Sequence, residues 1–343
     1  MAHHDQLPSE GPRDHGPRGA VITPALAAIK DAQSLDDLYG VFNANHFTAG
    51  WHKKRPSLWN EPTVAFTPRH WRYEEATAAL DRAGEWVGTD LAERRNLLMF
   101  NPVGDNDYAT VRTVVSAYQM IKPGEYARAH RHTPNALRLI LDAEPGLYTV
   151  VDGVKLAMNA GDVLLTPNWC WHSHYNEGKA NGYWLDFLDV PLVHLLEPMF
   201  YEQYPGDLQP VTSEPNGHPF AYSRAWVLEE IARREADTDG IRRLTLPTRD
   251  YIPTIELSYL RIPGGCETAA RRSTASRIVA VTSGRGKARI GDLHAEWRRG
   301  DVLAIPSWTA FEFGAAEDSL LFEVSDEPTL RMLGLYRSSA VNA

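Results

Sequence analysis

The chain has 343 residues, enough for two domains with cores of their own, and a formal charge of −9 at pH 7 with no basic run, which argues against nucleic acid or an anionic membrane surface as partner. Its two cysteines, Cys170 and Cys266, are too few for a disulfide framework and point to a reducing cytoplasm. No apolar run approaches the roughly 18 residues of a membrane span, the N-terminus lacks the build of a secretion signal, and an anionic substrate would need positive charge supplied inside its own pocket.

Residues 1–20, with His3, His4 and His15, mix Pro, Gly, His and charge without periodicity and read as a disordered, solvated tail. An N-terminal helical arm over 21–100 follows. Pro24 suits a first turn, and Ser34 before Leu35-Asp36-Asp37 predicts an N-capped helix over 35–43. Residues 46–70, with Trp51, Trp59 and several prolines, read as an ordered irregular stretch. A second helix is predicted over 71–83, with Glu74, Glu75, Asp81 and Arg82 on its polar side, and a strand over 94–100 stopped by Asn101-Pro102.

From 101 to 195 the pattern is β: 110–121, 137–141, 147–151, 163–167 and 183–188 are strand-like, with turns at Pro123-Gly124, Asp152-Gly153 and 159–162. A connector over 196–245 holds one helix, 223–235, capped by Ser223, and strands return over 246–335. Many short antiparallel strands at regular spacing indicate barrels or jelly rolls.

The two β regions repeat each other. Gly161-Asp-Val-Leu-Leu-Thr-Pro167 is echoed by Gly300-Asp-Val-Leu-Ala-Ile-Pro306, Pro123-Gly124 by Pro263-Gly264, and Trp169 by Trp308. Counting from the prolines sets Ala270 and Arg272 against His130 and His132, and Phe311 against His172. The second copy keeps the turns and lacks these histidines, so they serve chemistry rather than the barrel.

Side chains two apart on a strand share a face, so His130 with His132, and His172 with His174, converge in a barrel interior. Imidazole suits Fe, Zn, Cu and Ni. We take His130, His132 and His172 as metal ligands, with His174 open as the alternative third because it shares a face with His172.

Gly124-x5-His130-x-His132 and Gly161-x5-Pro167-x4-His172-x3-Asn176 resemble the two cupin motifs, with Trp169 in place of the usual glycine and Ala136 and Leu137 where a glutamate ligand normally stands. A cupin without that glutamate resembles the three-histidine Fe(II) dioxygenases. Ala129-His-Arg-His-Thr133, Ala136-Leu-Arg138, Val151-Asp-Gly153, Trp171-His172-x-His174 and Trp184-Leu-Asp-x-Leu-Asp-x-Pro191-Leu192 are similar to the gentisate 1,2-dioxygenase group of bicupins, over about 70–335 and most densely over 117–193. The resemblance implies an all-β fold with N-terminal and connector helices: two double-stranded β-helix (jelly-roll) barrels, the first with the metal site and the second without ligands. It also implies Fe(II), a homotetramer or dimer, Arg138 as a clamp for a substrate carboxylate, and His174 as a substrate contact taking up a phenolic proton near neutrality. Gln119, Trp184 and Asp186 match pocket positions, and Arg94 or Arg95 supplies a second contact. By strand parity Arg138 falls on the side of His132, and Arg131 faces outward.

The implied reaction is Fe(II)- and O2-dependent cleavage between C1 and C2 of gentisate or another 5-substituted salicylate, with salicylate and 1-hydroxy-2-naphthoate as competing substrates. A non-redox metal-binding cupin, isomerase or binding protein, is the alternative of another class. Ser173, Tyr175 and Phe187 depart from the family pattern and are expected near the ring 5-position.

Overall fold

The protein is described by a computed structural model covering residues 23–52, 57–89, 91–92, 94–238 and 240–341. The tail predicted over 1–20 lies outside the described residues. The chain divides into two compact units, 1–61 and 62–343. In the first, Thr23 caps the helix Pro24–Asp31 and Ser34 caps Leu35–Ala44, each hydroxyl accepting from the backbone three residues on.

The second unit holds two barrels, each a six-stranded and a five-stranded antiparallel sheet face to face. In barrel one the six strands run Ala221–Tyr222, Val163–Thr166, Ala136–Asp142, Gly182–Leu188, Val115–Ile121, Arg95–Leu98. The five run Tyr201–Gln203, Tyr126–His132, His172–Asn176, Leu147–Val151, Val154–Ala157. Barrel two repeats this with Arg69–Trp71, Val302–Ile305, Arg277–Ser283, Ser319–Ser325, Glu256–Ile262, Arg242–Thr245 opposite Leu293–Arg298, Arg285–Ile290, Phe311–Ala315, Arg271–Ser273, Ser338–Ala340.

The barrels exchange strands. Arg69–Trp71, ahead of barrel one, pairs with Val302–Ile305 of barrel two, and Ala221–Tyr222, ahead of barrel two, pairs with Val163–Thr166 of barrel one. Each exchanged strand leads into a helix, Tyr73–Gly84 or Arg224–Arg233. The repeated Gly-Asp turn catches that helix: Tyr73 N donates to Asp301 at 3.0 Å and Arg224 N to Asp162 at 2.9 Å. The glycines are required here, because both have positive φ and a Cβ on Gly161 or Gly300 would fall 2.5 Å from Arg224 or 2.4 Å from Tyr73. The pairing of Arg69–Trp71 also explains why the helix predicted over 71–83 begins at Tyr73. The strand predicted over 110–121 begins at Val115, because Thr110 and Val111 turn back onto Val114.

The six-stranded sheets pack back to back. Tyr118, Leu137, Leu139, Leu165 and Phe187 of barrel one meet Leu257, Tyr259, Ile278, Phe322 and Val324 of barrel two in one apolar layer, joined by Leu80. Among the described residues no helix is long and apolar enough to cross a membrane.

Candidate metal centre

The strand Tyr126–His132 lies between Tyr201–Gln203 and His172–Asn176, and its register sets His130 opposite His172. Ring centroids are 4.3 Å apart for His130 and His172, 4.9 Å for His132 and His172, and 5.7 Å for His130 and His132. One ligand atom from each lies within 4.8 Å of the others, the one such grouping of His, Cys, Asp or Glu found among the described residues. The His174 ring is 6.1 Å from that of His172 and outside the grouping.

The three imidazoles are oriented alike. Nδ1 donates to a backbone carbonyl in each: Arg128 for His130 at 3.1 Å, Pro134 for His132 at 2.8 Å, Cys170 for His172 at 3.1 Å. Only a protonated nitrogen bonds a carbonyl, so Nε2 carries the lone pair, the tautomer that metal-binding histidines use. Nε2 of His172 is buried without a protein partner. These residues fit a metal ion.

Burial, with Arg94 and His132 beside it, lowers the pKa of His130 to about 3. Burial also lowers His132, to about 4, against the pull of its bond to the Pro134 carbonyl. His172 and His174 fall well below the usual range, by burial first and then by neighbouring positive groups that include Arg138. All four are neutral at physiological pH. His174 therefore does not titrate near neutrality as expected from the sequence: it is fully buried, faces cationic neighbours, and has neither ring nitrogen hydrogen-bonded.

Behind the histidines a polar network crosses the six-stranded sheet. Arg94 Nε donates to Gln119 Oε1, and Gln119 Nε2 donates to Asp186. Asp186 also accepts from Trp184 Nε1 at 2.8 Å and pairs with Arg138 Nε at 3.3 Å. Arg138 Nη1 donates to Thr166 at 2.6 Å. The carboxylate of Asp186 thus links Arg94, through Gln119, to Arg138. Arg95 turns away, buried in a pair with Glu125, so Arg94 is the arginine of this network.

Several expectations change. Arg138 is on Ala136–Asp142, across a turn from His132, so counting parity along one strand was the wrong route to its inward position. Ser173, Tyr175 and Phe187 do not face the histidines. They alternate with inward His172, His174 and Asp186, so Tyr175 stacks on Tyr148 at 4.8 Å outside the barrel and Phe187 meets Phe322 edge to face at 5.9 Å between the barrels. Arg131 does face outward, paired with Glu202 and lying over Trp169 and Trp171. Thr166 was missed, although its counterpart in the repeated motif, Ile305, marked the difference.

A cupin-domain family profile matches residues 117–188. The chain is 30% identical to gentisate 1,2-dioxygenase 1 of Aquipseudomonas alcaligenes over 88% of this chain and 95% of that one. It is 32% identical to 5-aminosalicylate 1,2-dioxygenase of Comamonas sp. over 90% and 91% of the two chains. The chain belongs to the gentisate 1,2-dioxygenase family of bicupins. Salicylate 1,2-dioxygenase of Pseudoaminobacter salicylatoxidans, in its adduct with gentisate, superposes with a TM-score of 0.83 at 26% identity over 91% of this chain and 95% of that one.

Within this ring-cleaving dioxygenase the second barrel has lost the site. The cross-strand pair His130 and His172 corresponds to Arg271 and Phe311, and Trp169 N bonds the His132 carbonyl where Trp308 N bonds that of Ser273. The counterparts of His130 and His132 are therefore Arg271 and Ser273, not Ala270 and Arg272. Gly265, one more glycine in the second copy, takes the positive-φ place of Gly124 and shifts the count by one. By the same registers Gln119, Arg138 and His174 give way to Leu260, Val279 and Phe313, all in barrel two's apolar core.

Proposed function

We propose that the first barrel holds Fe(II) on His130, His132 and His172 and cleaves the ring of gentisate or another 5-substituted salicylate between C1 and C2 with O2. The observation that carries this reading is the common orientation of the three imidazoles, each with Nδ1 tied to a backbone carbonyl. Three neutral ligands leave a divalent ion its full charge, which favours a chelating anion. The bound iron would supply that charge and a redox couple through which ring electrons reach O2.

The protein's own part is to bind and orient. Arg138 and Arg94 provide the positive charge that a chain of net charge −9 must concentrate in the pocket, and their guanidinium groups suit a substrate carboxylate. Asp186 and Gln119 hold both arginines, and Thr166 fixes Nη1 of Arg138. His174, neutral and beside Trp184 at 5.6 Å, contributes a hydrogen bond to the phenolic oxygen rather than a charge. Below them Ile121, Ile140, Leu147, Val151, Leu164 and Trp184 close the barrel with apolar packing that excludes water. A homotetramer or dimer in the cytoplasm belongs to the same reading.

Anaerobic loading with Fe(II), then substrate and air, is expected to consume O2 and yield a conjugated ring-opened diacid from gentisate or from 5-halo, 5-amino or 5-nitro salicylates. No O2 uptake across that panel overturns the reading. Turnover retained with Zn under argon favours non-redox chemistry.

A further inference from the structure

The mouth of the second barrel carries guanidinium groups where the first carries imidazoles. Arg271 stands at the place of His130, and Arg243 and Arg277 come in from the facing sheet. All three turn to one carboxylate, Glu323, at 3.0 Å from Arg277, 3.3 Å from Arg243 and 3.5 Å from Arg271. Burial opposes charge on Glu323, yet the three cations hold its pKa at about 2. Arg277 has a second carboxylate, Glu327, at 2.8 Å, and Arg243 a second acceptor in Ser258. Arg271 has least: among the described residues its only polar contact is the 3.5 Å approach to Glu323, and its guanidinium lies over Phe311 at 5.0 Å.

Arg243, Arg271 and Arg277 share the Glu323 carboxylate, and Arg277 and Arg331 share Glu327. Beside Arg271, bordered by its strand and the paired strand Ser338–Ala340, a cavity of about 340 Å³ opens. Its lining includes Arg271, Arg272, Arg277, Phe311, Tyr336 and Ser339, and no aspartate or glutamate. Arg277 is held by Glu323 and Glu327, and Arg272 bonds Ser339 and lies over Trp308, so Arg271 is the guanidinium with capacity left for an anion, and the apolar wall beside it suits a flat apolar body.

We propose that this cavity binds a small aromatic carboxylate, its carboxylate on Arg271 and its ring against Phe311. The site is separate from the histidine centre, since these residues belong to the other barrel. It matches the chemistry of a substrate-like acid, which would let the metal-free barrel sense what the metal-binding barrel consumes.

The probe is 4-fluorobenzoate, which has the carboxylate and ring but no ortho hydroxyl with which to chelate a metal. Fluorine NMR of the full chain is expected to show two bound resonances. Loading with paramagnetic Fe(II) under argon is expected to broaden the one from barrel one and spare the other. Arg271→Met, and separately Ser339→Asp, which puts a carboxylate into the acid-free cavity, are each expected to weaken the spared site at least tenfold. Two variants guard against misfolding of either. A single, iron-broadened resonance, a spared resonance that persists unchanged in the folded variants, or displacement by inorganic phosphate as readily as by benzoate overturns the proposal. If barrel one holds no iron, neither resonance broadens while Ser339→Asp still removes one, so this inference and the proposed function fail separately.

Discussion

Arg138 and Asp186 face each other on adjacent strands of barrel one, Nε 3.3 Å from the carboxylate and both 1% exposed. Burial lowers the Arg138 pKa to about 10, and Asp186 opposes that shift. Removing one member of such a pair leaves an uncompensated buried charge, which costs about 3–5 kcal/mol. Arg138→Met is expected to lose that much in urea unfolding, and Asp186→Asn added to it to recover more than half, because neither charge then remains. Activity should stay low in both, since the double variant restores stability without restoring the guanidinium. Equal unfolding midpoints for the single and double variants would refute the pairing argument.

A second carboxyl sets a pH dependence. Asp326 accepts from Thr113 Oγ1 at 2.5 Å and from Ser276 N at 2.8 Å, an arrangement matched in the other barrel by Asp189 with Thr254 and Asn135. Burial pushes Asp326 up to about 6 despite these bonds. A folded pKa above the unfolded value means that the folded chain holds the proton more tightly. The contribution is complete below about pH 4 and is lost as pH rises through 6, roughly 3 kcal/mol in all. Asp326→Asn has no proton to lose, and Thr113 can rotate to accept from its amide. Its stability relative to wild type is expected to climb between pH 4 and 7.5; a difference that stays flat across that range would count against the shift.

The barrels, the repeat and the four histidines were legible because turns and strand alternation are local. Gly161 and Gly300 show the reason, as each takes the positive φ that its own Gly-Asp turn demands. What was not legible depended on partners far away in the chain. The exchanged strands Arg69–Trp71 and Ala221–Tyr222 are too short to signal their sheet. The one-residue slip at Gly265 changed which residues replace the histidines. The low pKa of His174 comes from burial and cations that its own strand does not supply.

Alternation also decides the fate of Phe187. Its ring is in the layer between the barrels, in contact with Phe322, while its neighbour Asp186 points at the site. Phe187→Ala is expected to destabilise the protein by about 3–5 kcal/mol through the cavity it leaves. The ratio of kcat/KM for gentisate over salicylate should change less than twofold. A larger change in that ratio would return Phe187 to the substrate pocket.

The sharpest separation at the centre is between His172 and His174. Both are fully buried on one strand, but only His172 anchors Nδ1 on a carbonyl, that of Cys170, and joins His130 and His132. His172→Ala is expected to lower iron affinity by at least about 100-fold, more than loss of an outer-shell partner typically costs. On the proposed roles, in which His174 is a substrate contact and not a ligand, His174→Ala should retain one iron per chain by elemental analysis while its kcat/KM falls. With His130 and His132 already deprotonated at pH 6 to 8, iron uptake by either protein should release no protons from them in that range. Iron lost from His174→Ala and kept by His172→Ala would exchange the two roles.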